Sequence, residues 1–366
     1  MLGTRGLSRG DYFAELAPRL RRGIDNDASC WHTLDPQTRL LTSDQSRDLV
    51  DQGIYTDDTL AAAGELIIRS EYMEEDQNGF AELATRRVPV GILEKATRGR
   101  PERSARYRDL LEPTGIPHEL RAAFVRRGRV WGAVHVARRA ESGPFTQRDA
   151  DVLAQLVPVI AAGIRGSLRF DAARRVSGTE APGLVVLDAF GEVELITPPA
   201  IPILSAIGVA TEVERGDLPT AVKSLAAFAR SQTGAALDGG YVVTVPGRDG
   251  LVTLHCSKPD PAGDRVAIVV EPAKGPRAAT VRLEAHGATT REREVATLIA
   301  RGLTNPEIAE TLVLSPHTVQ DHIKSLFAKL DVSSRQELVA QVFLDEYLPG
   351  VIRQTPITSH GQFDVD

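Results

Sequence analysis

Hydrophobic and polar positions along the first 175 residues change period several times. A short N-terminal helix is followed by a strand around Ala28 to Leu34 and then by a helical stretch from Thr59 to Glu75. Two β runs come next, Leu120 to Arg127 and Arg129 to Val136. They flank Gly128, so they predict a hairpin whose basic residues alternate with apolar ones. This part closes on a long helix from Thr146 onward, with Leu153, Leu156, Val157, Ile160, Ile164 and Leu168 at helical spacing. That stripe is either core or a dimer seam.

From about 177 to 273 the pattern gives β runs at Leu184–Leu187, Val193–Ile196, Tyr241–Val245, Leu251–Cys256 and Val266–Val270. Helical patterns at Pro199–Ile207 and Leu218–Ser231 fall between the second run and the third. Two strands, helices and three strands make a small α+β layout of the sensor kind. Asp188-Ala189-Phe190-Gly191 and Gly247-Arg248-Asp249-Gly250 supply the turn chemistry for two hairpins. No internal repeat or low-complexity tract is evident.

The stretch from about 281 to 345 is helical throughout. Four signatures of the form S/T-x-x-polar open four short helices: Thr289…Glu292, Thr304…Glu307, Ser315…Thr318 and Ser333…Gln336. Three are full capping boxes, and the Ser315 signature has Thr where Glu or Gln would stand. Between them three apolar stripes repeat at helical spacing, Val295/Leu298/Ile299, Ile308/Ala309/Leu312 and Val319/Ile323/Leu326/Leu330. The second and third helices are joined by Val313, Leu314 and the cap at Ser315, a spacing that fits helix-turn-helix geometry.

On these residues, Thr289 to Ala340 resembles the DNA-binding domain of the LuxR family of bacterial transcription regulators. The resemblance rests on Thr-x-Arg-Glu-x-Glu at Thr289 to Glu294, and on Gly302-Leu303-Thr304-Asn305 before Glu307-Ile308-Ala309. It continues in Ser315…Thr318-Val319…His322 and in Lys329-Leu330 followed by Ser334-Arg335. It implies that the helix from Pro316 to Lys329 enters the major groove of double-stranded DNA, with His317 and Thr318 near its start. Gln320 then has the chemistry to pair with adenine N6 and N7, Asp321 to accept from cytosine N4, and Lys324 to meet a phosphate or guanine. Gln320 and Asp321 could equally stay solvated. Thr304, Asn305 and Ser315 stand at helix N-termini whose unpaired N–H groups suit phosphates. Lys329 and Arg335 are candidate backbone anchors, although in the family the arginine of this Ser-Arg pair is often the partner of the opening glutamate, here Glu292. Pro306 replaces a lysine common in the family and so removes a phosphate contact.

Thr289 to Ala340 holds six basic and seven acidic side chains, a formal −1. Since counterion release scales with neutralised phosphates, one copy should bind weakly and a homodimer on a two-fold symmetric site is expected. Leu338, Val339 and Val342 are the candidate dimer face, the alternative being burial in their own bundle. The second part resembles a PAS domain. The first resembles GAF-type sensor domains, through Gly128-Arg129-Val130-Trp131-Gly132-Ala133-Val134-His135-Val136 and Pro144-Phe145-Thr146. The arrangement resembles actinobacterial LuxR-type regulators with GAF-like front ends.

The expected organisation is multidomain: two α+β antiparallel-sheet domains (1–175, GAF-like; 177–273, PAS-like), an all-α four-helix helix-turn-helix domain (281–345) and a tail (346–366). At 366 residues with 42% hydrophobic and 25% charged, the composition is globular and excludes disorder and collagen-like repeats. Two distant cysteines, Cys30 and Cys256, give no disulfide framework, which fits a reducing cytoplasm. The most apolar stretch, Val152 to Ile164, is interrupted by Gln155 and Pro158, so neither export nor membrane spanning is expected. A net charge of −6 leaves no whole-chain attraction to nucleic acid, so DNA binding must come from a local face.

No GxSxG elbow, GxxxxGK[ST] loop, HExxH or GxGxxG after a strand occurs, so no enzyme, cofactor or metal is expected. Cys30 and His32 share one side of their strand and Trp31 the other, and core packing is preferred to a pocket for them. His135 and His255 are expected to be ordinary core or surface histidines. The basic run Arg98, Arg100, Arg103, Arg106 and Arg108 is expected in a solvated loop. The expected function is a sequence-specific transcriptional regulator whose front domains respond to a small molecule or partner and set dimer geometry. The alternatives are a two-component response regulator, which the absent β/α alternation of a receiver domain opposes, and a constitutive DNA-binding protein whose front domains only dimerise.

Overall fold

The computed structural model describes residues 7–342 except 173–180, 209–212, 214–216, 233–239, 249, 259–262 and 274. The expected 346–366 tail and the 175/177 boundary therefore lie outside the described residues. The chain divides into two compact units, Met1–Pro272 and Ala273–Asp366.

The first unit opens with α1 (Arg9–Gly23), β1 (Ala28–Leu34), β2 (Leu41–Gln45), α2 (Arg47–Asp51), α3 (Asp57–Tyr72), α4 (Phe80–Leu83), β3 (Val90–Ile92) and α5 (Leu93–Ala96). β4 (His118–Arg126), β5 (Arg129–Arg138) and α6 (Gln147–Ala172) complete its first half. The second half runs β6 (Gly183–Leu187), β7 (Val193–Ile196), α7 (Ala200–Ile207), α8 (Thr220–Ser231), β8 (Tyr241–Gly247), β9 (Gly250–Ser257) and β10 (Val266–Pro272). Each half builds one antiparallel five-stranded sheet, ordered β2-β1-β5-β4-β3 and β7-β6-β10-β9-β8. The two orders are the same topology written twice. No repeat was visible in sequence because what recurs is strand connectivity, which leaves each half free to choose its own side chains.

The β4–β5 hairpin turns at Arg127 and Gly128, both with positive φ (53° and 74°), the conformation that two-residue hairpins favour. One face of the first sheet carries Trp31, Leu120, Ala122, Phe124, Val134 and Val136 against α1 and α6. Phe13, Trp31 and Phe124 stack there with ring centroids 5.7 and 5.8 Å apart. Helix α6 is long and apolar enough to cross a bilayer by length and composition. Its expected stripe is core: Leu153, Val157, Ile160, Ile164 and Leu168 are buried and Leu156 packs against them. A Cβ at Gly163 would run into the Tyr12 hydroxyl, so glycine is what lets α1 pack this closely onto α6.

The opposite face of this sheet is polar, and the expectation for the basic run fails here. Arg98, Arg100, Arg103 and Arg108 are exposed, but Arg106 is fully buried. Its Nε and Nη2 donate to Glu119 at 2.8 and 2.6 Å, and its Nη1 lies 3.1 Å from Asp76. Glu119 sits on a covered strand, and a buried carboxylate requires a counter-charge from the chain that covers it. Arg121, also buried, pairs with Glu71 and lies over the Phe80 ring.

Burial lowers His32 and His135 to about 4. Burial would raise the Glu119 carboxyl, but Arg106 and Arg121 overcome it and hold the group at about 2. All three folded values lie below the ordinary ones, so their stabilisation is present at neutral pH and is lost on acidification. The imidazoles act first, as pH falls through about 6.5 toward 4, and Glu119 follows below about 4.5. Both tryptophans of the chain, Trp31 and Trp131, lie in this unit, so indole fluorescence reads it alone. The urea midpoint by fluorescence is expected to fall steadily from pH 7 to pH 5; a constant midpoint would contradict this assignment.

The second unit is helical: α9 (Gly275–Ala285), α10 (Thr290–Ala300), α11 (Asn305–Leu312), α12 (Pro316–Leu330) and α13 (Arg335–Val342). Four helices were expected from 281 onward. The fifth, α9, begins earlier and adds Ala279 and Leu283 to the bundle core. Gly275-Pro276 carries no capping signature that would have marked its start.

Val313 ends α11 with φ 54° and ψ 52° and is 90% exposed. A β-branched residue in the left-handed region is strained by roughly 1–2 kcal/mol, and glycine there forfeits only about 0.5–1 kcal/mol of backbone entropy. Val313→Gly is therefore expected to raise the helical unit's stability by roughly 0.5 kcal/mol. The shift should appear in circular dichroism at 222 nm and be silent in tryptophan fluorescence, and a lower midpoint would contradict the strain.

Candidate nucleic-acid interface

Capping chemistry sets where each helix of the second unit begins. At α10, the Glu292 N–H donates to the Thr289 hydroxyl and the Thr289 N–H donates back to the Glu292 carboxylate at 2.6 Å. At α11 the Glu307 carboxylate accepts both the N–H and the hydroxyl of Thr304, each at 2.7 Å. At α12 the Ser315 hydroxyl accepts the Thr318 N–H at 3.0 Å. The fourth box is displaced by one residue from the expected Ser333…Gln336. Ser334 accepts the Glu337 N–H and Glu337 reaches back to the Ser333 N–H. Glutamate rather than glutamine closes it because a carboxylate is the stronger acceptor for backbone N–H groups.

These boundaries fix the faces of α12. Val319, Ile323, Leu326 and Leu330 are buried in a common core with Val295, Leu298, Ile299, Ile308 and Ala309. The other side presents Pro316, His317, Gln320, Asp321, Lys324 and Ala328 to solvent, chiefly at intervals of three and four residues, with Thr318 exposed beside them. Thr304 and Ser315, at the starts of α11 and α12, are exposed as well. The sequence-derived residues thus divide into an outward group (Thr304, Ser315, His317, Thr318, Gln320, Asp321, Lys324) and a second group held by the protein itself.

That second group is an internal brace. Lys329 donates to both oxygens of Glu292, so the glutamate's partner is Lys329 and not the arginine that the resemblance offered. Arg335 instead donates to the Leu303 carbonyl at 2.8 Å and to Asn305 Oδ1 at 2.6 Å, fastening α13 to the start of α11. The geometry favours this exchange, since Lys329 lies one turn beyond Ser325, whose hydroxyl also donates to Glu292 at 2.6 Å. Burial would raise the Glu292 carboxyl, but hydrogen bonds from Lys329, Ser325 and Thr289 hold it below its ordinary value. Ser325 was not anticipated; its spacing of four from Lys329 was the available signal.

The candidate dimer face is corrected by burial. Leu338 and Val342 are 0% and 1% exposed in the core of their own bundle, and Val339 packs against it. With three residues of α13 turned inward, no apolar stripe remains on its described residues for a second copy. Its outward positions are Gln336, Glu337 and Gln341.

Local ion pairs define the field of the surface. Arg291 pairs with Glu294 at 2.8 Å and Arg293 with Glu284 at 3.2 Å. Lys324 has no ion pair among the described residues, where it is the one lysine or arginine on the exposed face of α12. His317 Nδ1 lies 3.6 Å from the Asp321 carboxylate on the same face. The face therefore offers an imidazole, an amide, a carboxylate and an ammonium along one helical stripe, beside two helix N-termini that expose hydroxyls.

Residues 288–342 match the model of the luxR family of bacterial regulatory proteins. An HTH-type transcriptional regulator of Mycobacterium bovis is 47% identical over 51 residues, covering 14% of this chain and 6% of that one. The transcriptional regulatory protein LiaR of Bacillus subtilis is 49% identical over 49 residues, 13% of this chain and 23% of its own. The transcriptional regulatory protein NarL of Mycobacterium tuberculosis is 42% identical over 60 residues, 16% and 28% respectively. The shared stretch is thus less than a third of each of these relatives. Among solved structures, the phage VqmA-DPO complex aligns with 54% of this chain and 96% of its own at 15% identity, with a TM-score of 0.18, too low to show a shared fold. The segment 288–342 of this chain is a luxR-family helix-turn-helix domain, a DNA-binding module.

Proposed function

We propose that this protein is a cytoplasmic, non-enzymatic transcriptional regulator that binds a two-fold symmetric operator as a homodimer, with α12 lying in the major groove. The observation that carries this is the outward stripe His317, Gln320, Asp321 and Lys324 on a helix whose other side is fully committed to core. Gln320 and Asp321 read adenine and cytosine edges, and Lys324 contacts a phosphate or guanine. Thr304, Ser315, His317 and Thr318 hold the flanking phosphates. Asn305, Lys329 and Arg335 act by positioning, since their polar atoms are engaged within the bundle. The balanced charge of the domain makes the second copy necessary for affinity.

We read the front unit as a GAF-like and a PAS-like sheet whose state sets the spacing of the two reading helices. In support, the two sheets share one strand order, and the second half follows the two strands, helices and three strands that the hydrophobic pattern predicts for a sensor layout. A fluorescently labelled genomic duplex titrated with the full chain at low and moderate salt tests the reading. Saturable binding with a stoichiometry of two chains per site is expected, and absence of binding at any salt concentration would overturn it.

A further inference from the structure

The basic run of the first unit puts cations on the surface that the unit itself does not answer. Residues 95–108 carry six basic side chains and one acidic one, in a chain whose net charge is −6. Arg106 is committed to Glu119 and Asp76, whereas Arg98, Arg100, Arg103 and Arg108 are exposed and have no ion pair among the described residues. Five other exposed arginines of this unit sit on carboxylates: Arg19 on Glu15, Arg47 on Asp51, Arg69 on Glu74, Arg86 on Glu82 and Arg265 on Glu194.

The four free cations stand on a fixed frame, because buried side chains along the run fasten it to the core. The Thr97 hydroxyl donates to the Leu93 carbonyl at 2.8 Å, and the Ser104 hydroxyl and the Arg106 N–H each donate to Asp76 at 2.9 Å. Thr97, Ser104 and Arg106 are themselves buried. Arg108 Nη1 donates to the Glu102 carbonyl at 2.6 Å, which draws the end of the run back against its middle. The chain turns at Arg98 and Gly99, both with positive φ (56° and 74°). Glycine or asparagine is the ordinary residue in that region, so a cation stands at Arg98 in spite of a backbone cost. A surface fixed in this way has less loop freedom to lose on binding.

Chemistry narrows the partner. No large apolar side chain is exposed among residues 95–108, so the patch lacks the buried anchor on which a protein interface centres. No buried side-chain polar atom of the run lacks a hydrogen-bond partner, so no enclosed site for a small anion is built there. Exposed guanidiniums in close succession fit a polyanion, and the phosphate backbone of duplex DNA asks chiefly for repeated positive charge. The helix-turn-helix domain supplies little of it. Thr289 to Ala340 holds six basic side chains against seven acidic ones, and Lys324 is the one lysine or arginine among the described residues on the exposed face of α12.

We propose that Arg98, Arg100, Arg103 and Arg108 are a second DNA contact, made to the phosphate backbone without regard to sequence. The inference rests on the reading of the chain as a DNA-binding regulator and divides the work of that reading. The front unit supplies most of the phosphate neutralisation and hence affinity, while α12 supplies the choice of bases.

The test titrates the full chain into a labelled random-sequence duplex across a salt series, read by fluorescence anisotropy, with the variant Arg98→Asn/Arg100→Gln/Arg103→Gln beside the unaltered protein. Asparagine tolerates the left-handed φ at residue 98 and no ion pair is removed, so the unfolding midpoint in tryptophan fluorescence should stay in place. The neutralised variant is expected to bind about tenfold or more weakly at low salt, with the slope of log affinity against log salt shallower by about 0.9 for each phosphate no longer neutralised. Arg98→Lys/Arg100→Lys/Arg103→Lys should keep both quantities, because a backbone phosphate needs the charge rather than the guanidinium fork. Should the first variant misfold, Arg100→Gln/Arg103→Gln carries the same expectation with a smaller change. Unchanged affinity and slope, an equal loss in the lysine variant, or a loss of binding to phosphatidylglycerol vesicles with none to the duplex would each overturn the proposal. Mapping on genomic DNA separates it from the reading of α12. The neutralised variant should recover the same enriched sequence in lower yield, whereas arginine-dependent binding to random duplex with no enriched sequence would leave the patch standing and α12 without its role.

Discussion

Replacing Lys324 by alanine is expected to weaken binding of the full chain to its DNA site by about tenfold or more, because each well-placed contact is worth roughly 1–3 kcal/mol and a dimer forgoes two. Lys324 stands on the exposed stripe of α12 with no ion pair among the described residues, so the substitution leaves the bundle's own ion pairs undisturbed. The slope of log affinity against log salt should become shallower by about 0.9 for each phosphate that is no longer neutralised. Fluorescence anisotropy across a salt series reads both quantities. The comparison that gives the result its meaning is Lys329→Ala. Lys329 holds Glu292, so its removal should lower the unfolding midpoint at 222 nm, whereas Lys324→Ala should leave that midpoint in place. Equal effects on stability would contradict the division into an outward and an inward lysine.

The largest stability effect is expected at Arg106. Removing its guanidinium in Arg106→Met leaves Glu119 and Asp76 buried with one fewer counter-charge, and breaking a buried pair in this way costs about 3–5 kcal/mol. Adding Glu119→Leu should recover part of that loss, because the stranded carboxylate is then gone while Asp76 keeps its bonds from the Ser104 hydroxyl and the backbone N–H of residue 106. Urea unfolding followed by tryptophan fluorescence measures both variants. A double variant less stable than the single one would contradict the account of the network as a buried charge balance.

Much of this was legible in sequence where local rules decide. The strands at Ala28–Leu34 and Val266–Val270, the Gly128 hairpin and the α6 stripe follow from period and turn chemistry alone. The helix starts at Thr289, Thr304 and Ser315 follow from capping, which needs only residues three apart. What sequence left open depends on partners distant along the chain. Arg106 reads as one of five solvated arginines until Glu119, thirteen residues on, is seen to be buried beside it. The exchange of Lys329 for Arg335 at Glu292 is decided by how α12 rotates against α10. Leu338 and Val342 have the same pattern whether they face a second copy or their own core, and burial alone distinguishes the two. Cys30 and His32 are buried as their core reading expects, and strand register sets His135 and Arg121 beside them, a neighbourhood drawn from three strands that sequence alone does not show.

The central claim is that the stripe on α12 reads DNA. Binding-site mapping of the purified full-length chain on its own genomic DNA, run beside Lys324→Ala, tests it most directly. The account predicts an enriched two-fold symmetric sequence that the variant no longer recovers. Enrichment that survives the substitution unchanged, or no enriched sequence while the protein is folded and dimeric, would contradict it.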